Sequence, residues 1–245
     1  MKSWPYPRWV AHRGAGLQAP ENTLAAFKLG SERGFKMFEC DAKLSADGIG
    51  FLLHDATLER TTNGQGRAAD LNWEQLAALD AGSWHSPAFA GEPPGRLRDV
   101  ARWLLARGHM LNIEIKPTPG QEIETGAQVA REAAQLWADA PVWPLLTSFQ
   151  IESLQAAARI APHLPRGLLL SQWRDDVFDL LAQDRHQALI CQYELWTPER
   201  LTQARRLGIW RVSYTVNDPA VAERLWAWGH EAIITDAIDV FNPRR

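Results

Sequence analysis

The chain has 245 residues, of which 46% are hydrophobic, so it is long and apolar enough to bury a large core. Its 26 basic and 29 acidic side chains give a net charge of −3, which excludes a broad basic surface for nucleic acid or anionic membranes. No run of about 18 apolar residues occurs, so we expect no membrane-spanning helix. The first residues contain Pro5 and Pro7 but no apolar signal segment, and only two cysteines occur, so we expect a cytoplasmic protein.

Nine short apolar segments alternate with amphipathic segments along the chain. The apolar segments are nearly continuous in hydrophobic residues, as expected for strands that are covered on both faces of a parallel sheet. They span residues 9–11, 37–43, 49–54, 111–116, 145–149, 167–170, 188–191, 210–216 and 232–235. Signals for helix starts and stops lie between them, at Asn22 before Gly34, Thr197-Pro198 before Gly208, and Asp218-Pro219 before Gly229. Repeated strand–helix units predict a parallel α/β fold.

The second and third segments lie too close together for a parallel connection. About five residues separate them, whereas a parallel crossover needs about a dozen. The sequence Ser-Ala-Asp-Gly at residues 45–48 favours a tight turn, so this pair is predicted to be an antiparallel hairpin. Eight strands then remain for a closed (β/α)8 barrel, whose usual length is about 250 residues. With the turn centred near Asp47 and Gly48, we expect His54 to lie opposite Asp41.

A long segment with little predicted regular structure follows the hairpin. Residues 55–96 contain one short predicted helix at residues 73–79 and the loop-forming sequence Gly-Glu-Pro-Pro-Gly at residues 91–95. Loops of this length inside a compact domain usually serve a function. We therefore predict a single barrel domain over residues 1–245, in which residues 55–96 form a small insertion that caps the site.

Acidic side chains at the ends of two predicted strands form a candidate site. Glu39 and Asp41 are two residues apart on one strand and therefore face the same side. Glu114 is predicted to face inward, because the apolar residues that alternate with it suit the helix-covered side of its strand. Barrel enzymes place catalytic residues at the C-terminal ends of their strands. Three carboxylates there form a hard oxygen site that suits Mg²⁺, with Mn²⁺ or Ca²⁺ as alternatives.

Two histidines and two cations are predicted at the same rim. His12 and His54 each end a strand, and a pair of histidines can divide acid and base roles near neutral pH. Arg13 and Lys116 offer positive charge for a phosphate group. Two alternatives stay open at this point. These cations, with Lys43, would neutralise the acids without any metal, or Lys116 would act as a Schiff-base nucleophile.

Short motifs spread over the whole chain resemble one enzyme family. In chain order they are His12-Arg13-Gly14, Pro20-Glu21-Asn22-Thr23, Glu39-x-Asp41, Asp47-Gly48, His54-Asp55, Leu58-x-Arg60-Thr61-Thr62-x-Gly64-x-Gly66, Glu114-Ile115-Lys116, Ser148-Phe149, Tyr214-Thr215-Val216-Asn217 and Thr235-Asp236. With these motifs the chain resembles the glycerophosphodiester phosphodiesterases. Residues 71–84 and 167–176 further resemble the bacterial cytoplasmic members that are associated with glycerol-3-phosphate uptake.

The resemblance implies a (β/α)8 barrel with a small insertion after the second strand. It implies hydrolysis of a small-molecule glycerophosphodiester to sn-glycerol-3-phosphate and an alcohol, with no nucleic acid partner and no stable membrane insertion. The implied roles are metal ligands for Glu39, Asp41 and Glu114, an acid/base pair for His12 and His54, and phosphate contacts for Arg13 and Lys116. The alcohol, the attacking nucleophile (water or the adjacent glycerol hydroxyl) and the oligomeric state stay undetermined at this point.

Two further classes of function compete with hydrolysis of a small diester. A phospholipase acting on intact lipid would need an apolar mouth, for which the insertion offers Trp73, Trp84 and Phe89. A non-catalytic barrel that binds phosphodiesters would be expected to lack one of the histidines or acids, and all five are present.

Overall fold

Eight parallel strands close into a barrel in the computed structural model of this protein, which describes residues 3–243. The nine strands in chain order are β1 (Trp9–Ala11), β2 (Met37–Leu44), β3 (Gly50–Leu52), β4 (Met110–Ile115), β5 (Leu145–Ser148), β6 (Arg166–Leu170), β7 (Ala188–Gln192), β8 (Trp210–Tyr214) and β9 (Ala232–Thr235). Parallel pairing of β1 with both β2 and β9 closes the barrel, and β3 joins β2 as an antiparallel strand. The predicted (β/α)8 fold is confirmed.

Helices connect successive barrel strands on the outside of the sheet. They are α1 (Leu24–Glu32), α3 (Leu97–Leu105), α4 (Glu122–Leu136), α5 (Ile151–Ile160), α6 (Val177–Gln183), α7 (Pro198–Arg206) and α8 (Pro219–Ala227), whereas the short α2 (Trp73–Ala77) lies in the segment between β3 and α3. Thr197 and Asp218 cap α7 and α8 as predicted, and proline follows each cap. The side-chain oxygen of each cap accepts a hydrogen bond from a free backbone N–H in the first turn, which fixes where the helix begins.

The predicted start of α1 is wrong by one residue. Its N-cap is Thr23, whose hydroxyl accepts a hydrogen bond from the Ala26 N–H. Asn22 instead has a φ of +62°, a backbone region that asparagine tolerates better than most residues. Its side-chain Nδ2 donates to Asp41 Oδ2 (2.8 Å), and its Oδ1 accepts from the Asp41 N–H (3.1 Å). Asn22 therefore orients an acidic residue of the site rather than capping the helix.

Strands β2 and β3 form the predicted antiparallel hairpin, but the register differs by one residue. The backbone N–H of Leu53 donates to the carbonyl of Asp41 (3.0 Å), so Asp41 lies opposite Leu53 and not opposite His54. The cause is a three-residue turn, closed by a hydrogen bond from the Ser45 N–H to the Ile49 carbonyl (3.1 Å). His54 follows Leu53 directly, so the hairpin still returns it to the C-terminal rim.

Residues 55–96 fold as a small unit beside the barrel rim. The apolar cluster that this unit shares with the hairpin contains Phe51, Leu53, Leu58, Ala68 and Leu76. Hydrogen bonds fasten the unit to the β1–α1 segment, among them one between His85 Nε2 and the Leu17 carbonyl (3.1 Å) and one from the Ala25 N–H to Glu92 Oε1 (2.9 Å). The unit therefore borders the same end of the barrel as the predicted site.

The aromatic residues of this unit are mostly packed. Trp73 packs against the unit's own cluster and Phe89 against the main core, whereas Trp84 is 41% exposed. Internal packing thus accounts for two of the three residues that would have served a lipid-binding mouth. Within residues 3–243, no helix combines the length and the apolar character that crossing a bilayer requires.

We expect Gly16→Ala to destabilise the barrel where it closes. Gly16 has a φ of +55°, and an added Cβ would lie 2.0 Å from the carbonyl oxygen of Asp236, directly after β9. The left-handed conformation alone costs another residue about 1–2 kcal/mol, and the backbone contact adds to that cost. Chemical denaturation should show a loss of at least about 3 kcal/mol in unfolding free energy.

Gly48→Ala is the matched control for this substitution. Gly48 has a φ of +74°, but no atom of the described part of the chain lies within 4 Å of an added Cβ. It should lose only the conformational cost of about 1–2 kcal/mol. Equal losses in the two variants would show that the close approach to Asp236 is unimportant.

Candidate active site

The C-terminal ends of the strands bring all seven predicted site residues to one rim. They lie just after β1 (His12, Arg13), within β2 (Glu39, Asp41), after β3 (His54), within β4 (Glu114) and just after β4 (Lys116). Six of them line a pocket of about 130 Å³, here called the mouth pocket. Asp41, the seventh, lies within 3.3 Å of two residues of that pocket, Arg13 and Lys116.

The three carboxylates form a compact buried cluster. Glu39, Asp41 and Glu114 each offer one oxygen, and these oxygens all lie within 4.8 Å of one another. Strand β4 alternates as predicted, with Leu111, Ile113 and Ile115 in the outer core and Asn112 and Glu114 lining the mouth pocket. The alternation of side chains along a strand is what turns the acids toward the barrel interior.

Glu39 is the least compensated member of this cluster. Its Oε2 accepts a hydrogen bond from the Arg13 N–H (3.1 Å) and lies 3.7 Å from His12 Nε2. Its Oε1 is buried without any hydrogen-bond partner among the described residues. Burial, and then the neighbouring charge of Asp41, raise the pKa of Glu39 to about 8. A cation at this position would therefore relieve a large electrostatic cost.

Asp41 is compensated by two cations. Its Oδ2 lies 3.3 Å from Arg13 Nε, and its Oδ1 lies 3.3 Å from Lys116 Nζ. Burial alone would raise the pKa of Asp41, but Lys116 and Arg13 hold it well below its usual range. Glu114 also contacts Lys116 Nζ (2.9 Å), yet burial and the charge of Asp41 leave its pKa raised. The negative charge of the cluster is thus only partly balanced by side chains.

His12 is held from behind by an acid. Its Nδ1–H donates to Asp236 Oδ1 (2.6 Å), which turns Nε2 toward Glu39 and the mouth pocket. The backbone N–H of Asp236 in turn donates to Asn217 Oδ1 (2.9 Å), which fixes the loop after β9. An acid bound to one ring nitrogen of a histidine sets the tautomer and ring orientation, so His12 presents a defined nitrogen to the site.

His54 is held in the same way by an ionic network. Its Nδ1 contacts Asp55 Oδ1 (2.7 Å), and Arg60 Nε donates to the other oxygen of Asp55 (2.6 Å). The two Nη atoms of Arg60 bind both oxygens of Glu21 (2.8 Å each), and Glu21 also accepts from Arg13 Nη1 (2.9 Å). This network links the loop after β1, the insertion and both sides of the mouth pocket.

The two histidines differ in their protonation tendencies. Burial lowers the pKa of His12, but the hydrogen bond to Asp236 and the charge of Glu39 outweigh it, so the net pKa is raised. Burial also lowers the pKa of His54, and the charge of Asp41 only partly offsets this, so the net pKa is lowered. The pair therefore offers one ring that tends to hold a proton and one that tends to release it, as divided acid and base roles require.

Lys116 does not have the properties of a Schiff-base nucleophile. Burial would lower the pKa of Lys116, but Asp41 and Glu114 raise it, so the amine stays protonated at neutral pH. Lys43 differs, because burial lowers its pKa to about 8 and no carboxylate lies within 4.0 Å of it among the described residues. Lys116 thus suits contact with an anion rather than covalent catalysis.

The residues present fit a divalent cation. Two oxygens on one ion lie at most twice the metal–oxygen distance apart, about 4.2 Å for Mg²⁺ and about 5 Å for Ca²⁺, and the limit of 4.8 Å on the oxygens of the cluster falls between these two values. Glu39 Oε1 is buried without a hydrogen bond among the described residues, as a free ligand atom would be, whereas Asp41 Oδ1 faces Lys116 Nζ. In the metal-free alternative, Lys116 would neutralise the charges of Asp41 and Glu114. Among the described residues, however, no lysine or arginine side chain pairs with Glu39.

A larger cavity lies at the opposite end of the barrel. Its volume is about 690 Å³, and its wall includes Tyr6, Trp143, His163 and Trp210. Among the residues that the structure describes there, Asp139 is the one carboxylate in the wall. The volume of a cavity alone therefore does not identify an active site. The mouth pocket is distinguished by its charged side chains instead.

Sequence reasoning gave no role to three acids that hold the site together. Asp236 positions His12, Asp55 contacts His54, and Glu21 joins Arg13 to Arg60. Two of them could have been predicted as site residues from the sequence, because Asp236 directly follows the last strand and Asp55 directly follows His54. Glu21 lies in a loop, so only the fold shows which cations it meets.

Comparisons with known proteins identify the family to which this chain belongs. Residues 12–240 match the model of the Glycerophosphoryl diester phosphodiesterase family. A glycerophosphodiester phosphodiesterase from Caldanaerobacter subterraneus subsp. tengcongensis is 32% identical over 227 residues, covering 93% of each chain. One from Bacillus subtilis is 28% identical over 247 residues, covering 95% of this chain and 84% of its own.

Solved structures agree with these matches. A phosphodiesterase from Oleispira antarctica, in complex with the product sn-glycerol-3-phosphate, has a TM-score of 0.90 and 30% identity, and 96% of this chain and 95% of that chain are covered. A glycerophosphodiester phosphodiesterase from Agrobacterium tumefaciens has a TM-score of 0.79 and 28% identity, with coverage of 96% and 99%. The chain therefore belongs to the glycerophosphoryl diester phosphodiesterase family.

Proposed function

We propose that this phosphodiesterase hydrolyses glycerophosphodiesters to sn-glycerol-3-phosphate and an alcohol, with a divalent cation and a pair of histidines. The observation that carries the proposal is the cluster of three buried carboxylates between His12 and His54. The Oleispira antarctica relative with its bound product supports the assignment of the product. Water adds its oxygen to phosphorus, the bond from phosphorus to the alcohol oxygen breaks, and the alcohol leaves with a proton. A route in which the adjacent glycerol hydroxyl attacks first would need the same groups.

Glu39, Asp41 and Glu114 would hold the cation. A bound Mg²⁺, or Mn²⁺ or Ca²⁺ in its place, polarises a phosphoryl oxygen and neutralises developing negative charge. The proposal rests on the unpaired Oε1 of Glu39, which no side-chain cation compensates among the described residues. Asn22 keeps Asp41 in place from the side of the β1–α1 loop, so the cluster is fixed before any ligand binds.

Arg13 and Lys116 would bind the phosphate diester. Both line the mouth pocket, and both already lie within 3.3 Å of Asp41. A phosphate oxygen entering the pocket would share these donors with the carboxylate. The cations thereby orient the phosphorus between His12 and His54, and positioning of this kind supplies a large part of enzymatic rate enhancement.

His12 and His54 would transfer the protons. One ring removes the proton from the nucleophile, and the other protonates the departing oxygen. General acid–base catalysis contributes about 10²–10⁴-fold, or about 3–5.5 kcal/mol. Because enzymes lower barriers by about 8–23 kcal/mol, the histidines require the charged groups around them for the remainder.

We assign the insertion over residues 55–96 a capping role within the single barrel domain. It supplies Arg60, which binds Asp55 beside His54 and Glu21 beside Arg13. The insertion thereby connects both sides of the mouth pocket and restricts the path of solvent to it.

The function is tested by release of glycerol-3-phosphate from several glycerophosphodiesters, with and without a chelator. We expect turnover that EDTA abolishes and that added Mg²⁺ or Mn²⁺ restores, because no lysine or arginine among the described residues pairs with Glu39 and a metal ion would compensate its charge. Full activity in metal-free buffer would contradict the metal assignment. No turnover of any glycerophosphodiester in the presence of metal would contradict the function itself.

His54→Ala should lower kcat at least about a hundredfold. His54 is partly exposed at the rim, with 32% of its side chain accessible, so its removal should leave the fold intact. Metal-induced stabilisation, measured as a rise in Tm, should stay close to wild type because the three carboxylates are unchanged. A near wild-type kcat would show that His54 is structural. His163→Ala, at the opposite end of the barrel, is the control.

Asp236→Asn should cost more stability near pH 5.5 than near pH 9 in metal-free protein. The raised pKa of His12 means that its charged form stabilises the fold below its ordinary pKa of 6.5, and this contribution disappears as pH rises through the raised value. The pKa of Asp236 is lowered, so Asp236 is ionised throughout this window. We expect a difference of about 1 kcal/mol in chemical denaturation, with exposed Asp139→Asn as the control. Equal losses at both pH values would contradict the ionic contact.

A further inference from the structure

A second groove opens beside the mouth pocket. Its volume is about 330 Å³, and it shares His54, Glu114, Lys116 and Phe149 with the mouth pocket. The residues that it adds are Lys43, Ala56, Ile115, Pro117, Ser148 and Gln150. Because both spaces share His54, a diester whose phosphorus lies beside that ring would extend one of its two substituents into this groove.

Lys43 places an incompletely satisfied ammonium in the wall of this groove. The residue is 2% exposed, and its Nζ donates one hydrogen bond, to the backbone carbonyl of Lys116 (2.9 Å). Within residues 3–243 no carboxylate lies within 4.0 Å of Nζ, although an ammonium carries three donors. A buried charge that keeps free donors is costly unless a ligand supplies acceptors.

Gln150 adds a second hydrogen-bonding group to the same wall. Its backbone N–H donates to Ser148 Oγ (3.1 Å), whereas its exposed side-chain amide has no partner among the described residues. Ser148 Oγ donates to the Ile115 carbonyl (2.6 Å), so that hydroxyl is already engaged. Besides the His54 ring that it shares with the mouth pocket, the groove therefore offers one ammonium and one amide with free hydrogen-bonding capacity, which together favour ligands rich in oxygen.

We propose that this groove takes the leaving alcohol and that Lys43 selects oxygen-rich, uncharged or anionic alcohols over quaternary ammonium alcohols. The proposal rests on the phosphodiesterase function and specifies its substrate class. Lys43 would donate to a hydroxyl or an anionic oxygen of the alcohol, and Gln150 would donate to or accept from a second hydroxyl.

The same wall is poorly suited to a quaternary ammonium group. Such groups are bound by carboxylates or by cages of several aromatic rings. Glu114, the carboxylate in the groove wall, is paired with Lys116 (2.9 Å). Phe149 is the aromatic residue of the wall, and Lys116 Nζ already lies 5.8 Å from the centre of its ring. A choline head group would meet two ammonium groups and no free acid here.

The experiment compares kcat/KM for glycerophosphoinositol, glycerophosphoglycerol and glycerophosphocholine in wild-type protein loaded with Mg²⁺. We expect both polyol substrates to exceed glycerophosphocholine by at least about tenfold. In Lys43→Met this ratio should fall to about twofold or below, because the polyols lose a charged donor and choline loses a repulsive neighbour. Gln150→Ala should lower kcat/KM for the polyols by about threefold and leave glycerophosphocholine unchanged.

The ratio of kcat/KM values between substrates distinguishes a failure of this inference from a failure of the proposed function. Loss of turnover on all three substrates in wild type would overturn the function, whereas turnover of all three with equal kcat/KM would overturn only the inference. A wild-type preference for glycerophosphocholine would also overturn it, and this result needs no variant. Lys36→Met, which removes an exposed lysine outside the groove, should keep the wild-type ratio. A ratio in Lys43→Met equal to that of wild type would exclude Lys43 as the selecting residue.

Discussion

Three carboxylates held close together in a buried space are the constraint on which the rest of the site depends. Ionised carboxylates repel one another, and burial increases that cost because water no longer screens them. The fold offsets the charge unevenly. Asp41 contacts both Arg13 and Lys116, whereas among residues 3–243 Glu39 receives only a backbone N–H and a histidine. This imbalance favours a cation site over a closed ion-pair network.

The hydrogen bonds around the three carboxylates fix their positions but leave part of their negative charge uncompensated. Asn22, with its left-handed backbone, binds Asp41 through both ends of its amide. Arg60 binds Glu21 and Asp55 together and so fastens the insertion to the loop after β1. Asn22 thereby fixes Asp41 of β2, and Arg60 fixes Asp55 beside His54, so the charged groups are positioned before a substrate arrives. Preorganisation of this kind lowers the cost of reaching a transition state.

The division between the mouth pocket and the groove gives the two substituents of a diester different surroundings. The mouth pocket is lined by Glu39 and Glu114, both histidines and apolar residues such as Leu169 and Ile234. The groove holds an ammonium and an amide that lack full sets of partners among the described residues. Under the proposed function, such a site would recognise the glycerol phosphate in the mouth pocket and discriminate among alcohols in the groove, because the groove adds Lys43 and Gln150 to the groups that the two spaces share.

The sequence by itself determined the strands, four of the helices, the antiparallel hairpin, the barrel, and the faces on which Glu39, Asp41 and Glu114 lie. These features follow from the periodicity of the hydrophobic residues, the turn sequence and the chain length, all of which can be read directly from the sequence. Tertiary structure alone decided the one-residue shift of His54, the use of Asn22 on Asp41, and the pairing of His12 with Asp236. His12 and Asp236 are 224 positions apart, and their contact exists only because β1 and β9 pair to close the barrel. The distances between loop residues depend on this closure of the barrel, so they cannot be predicted from the order of residues along the chain.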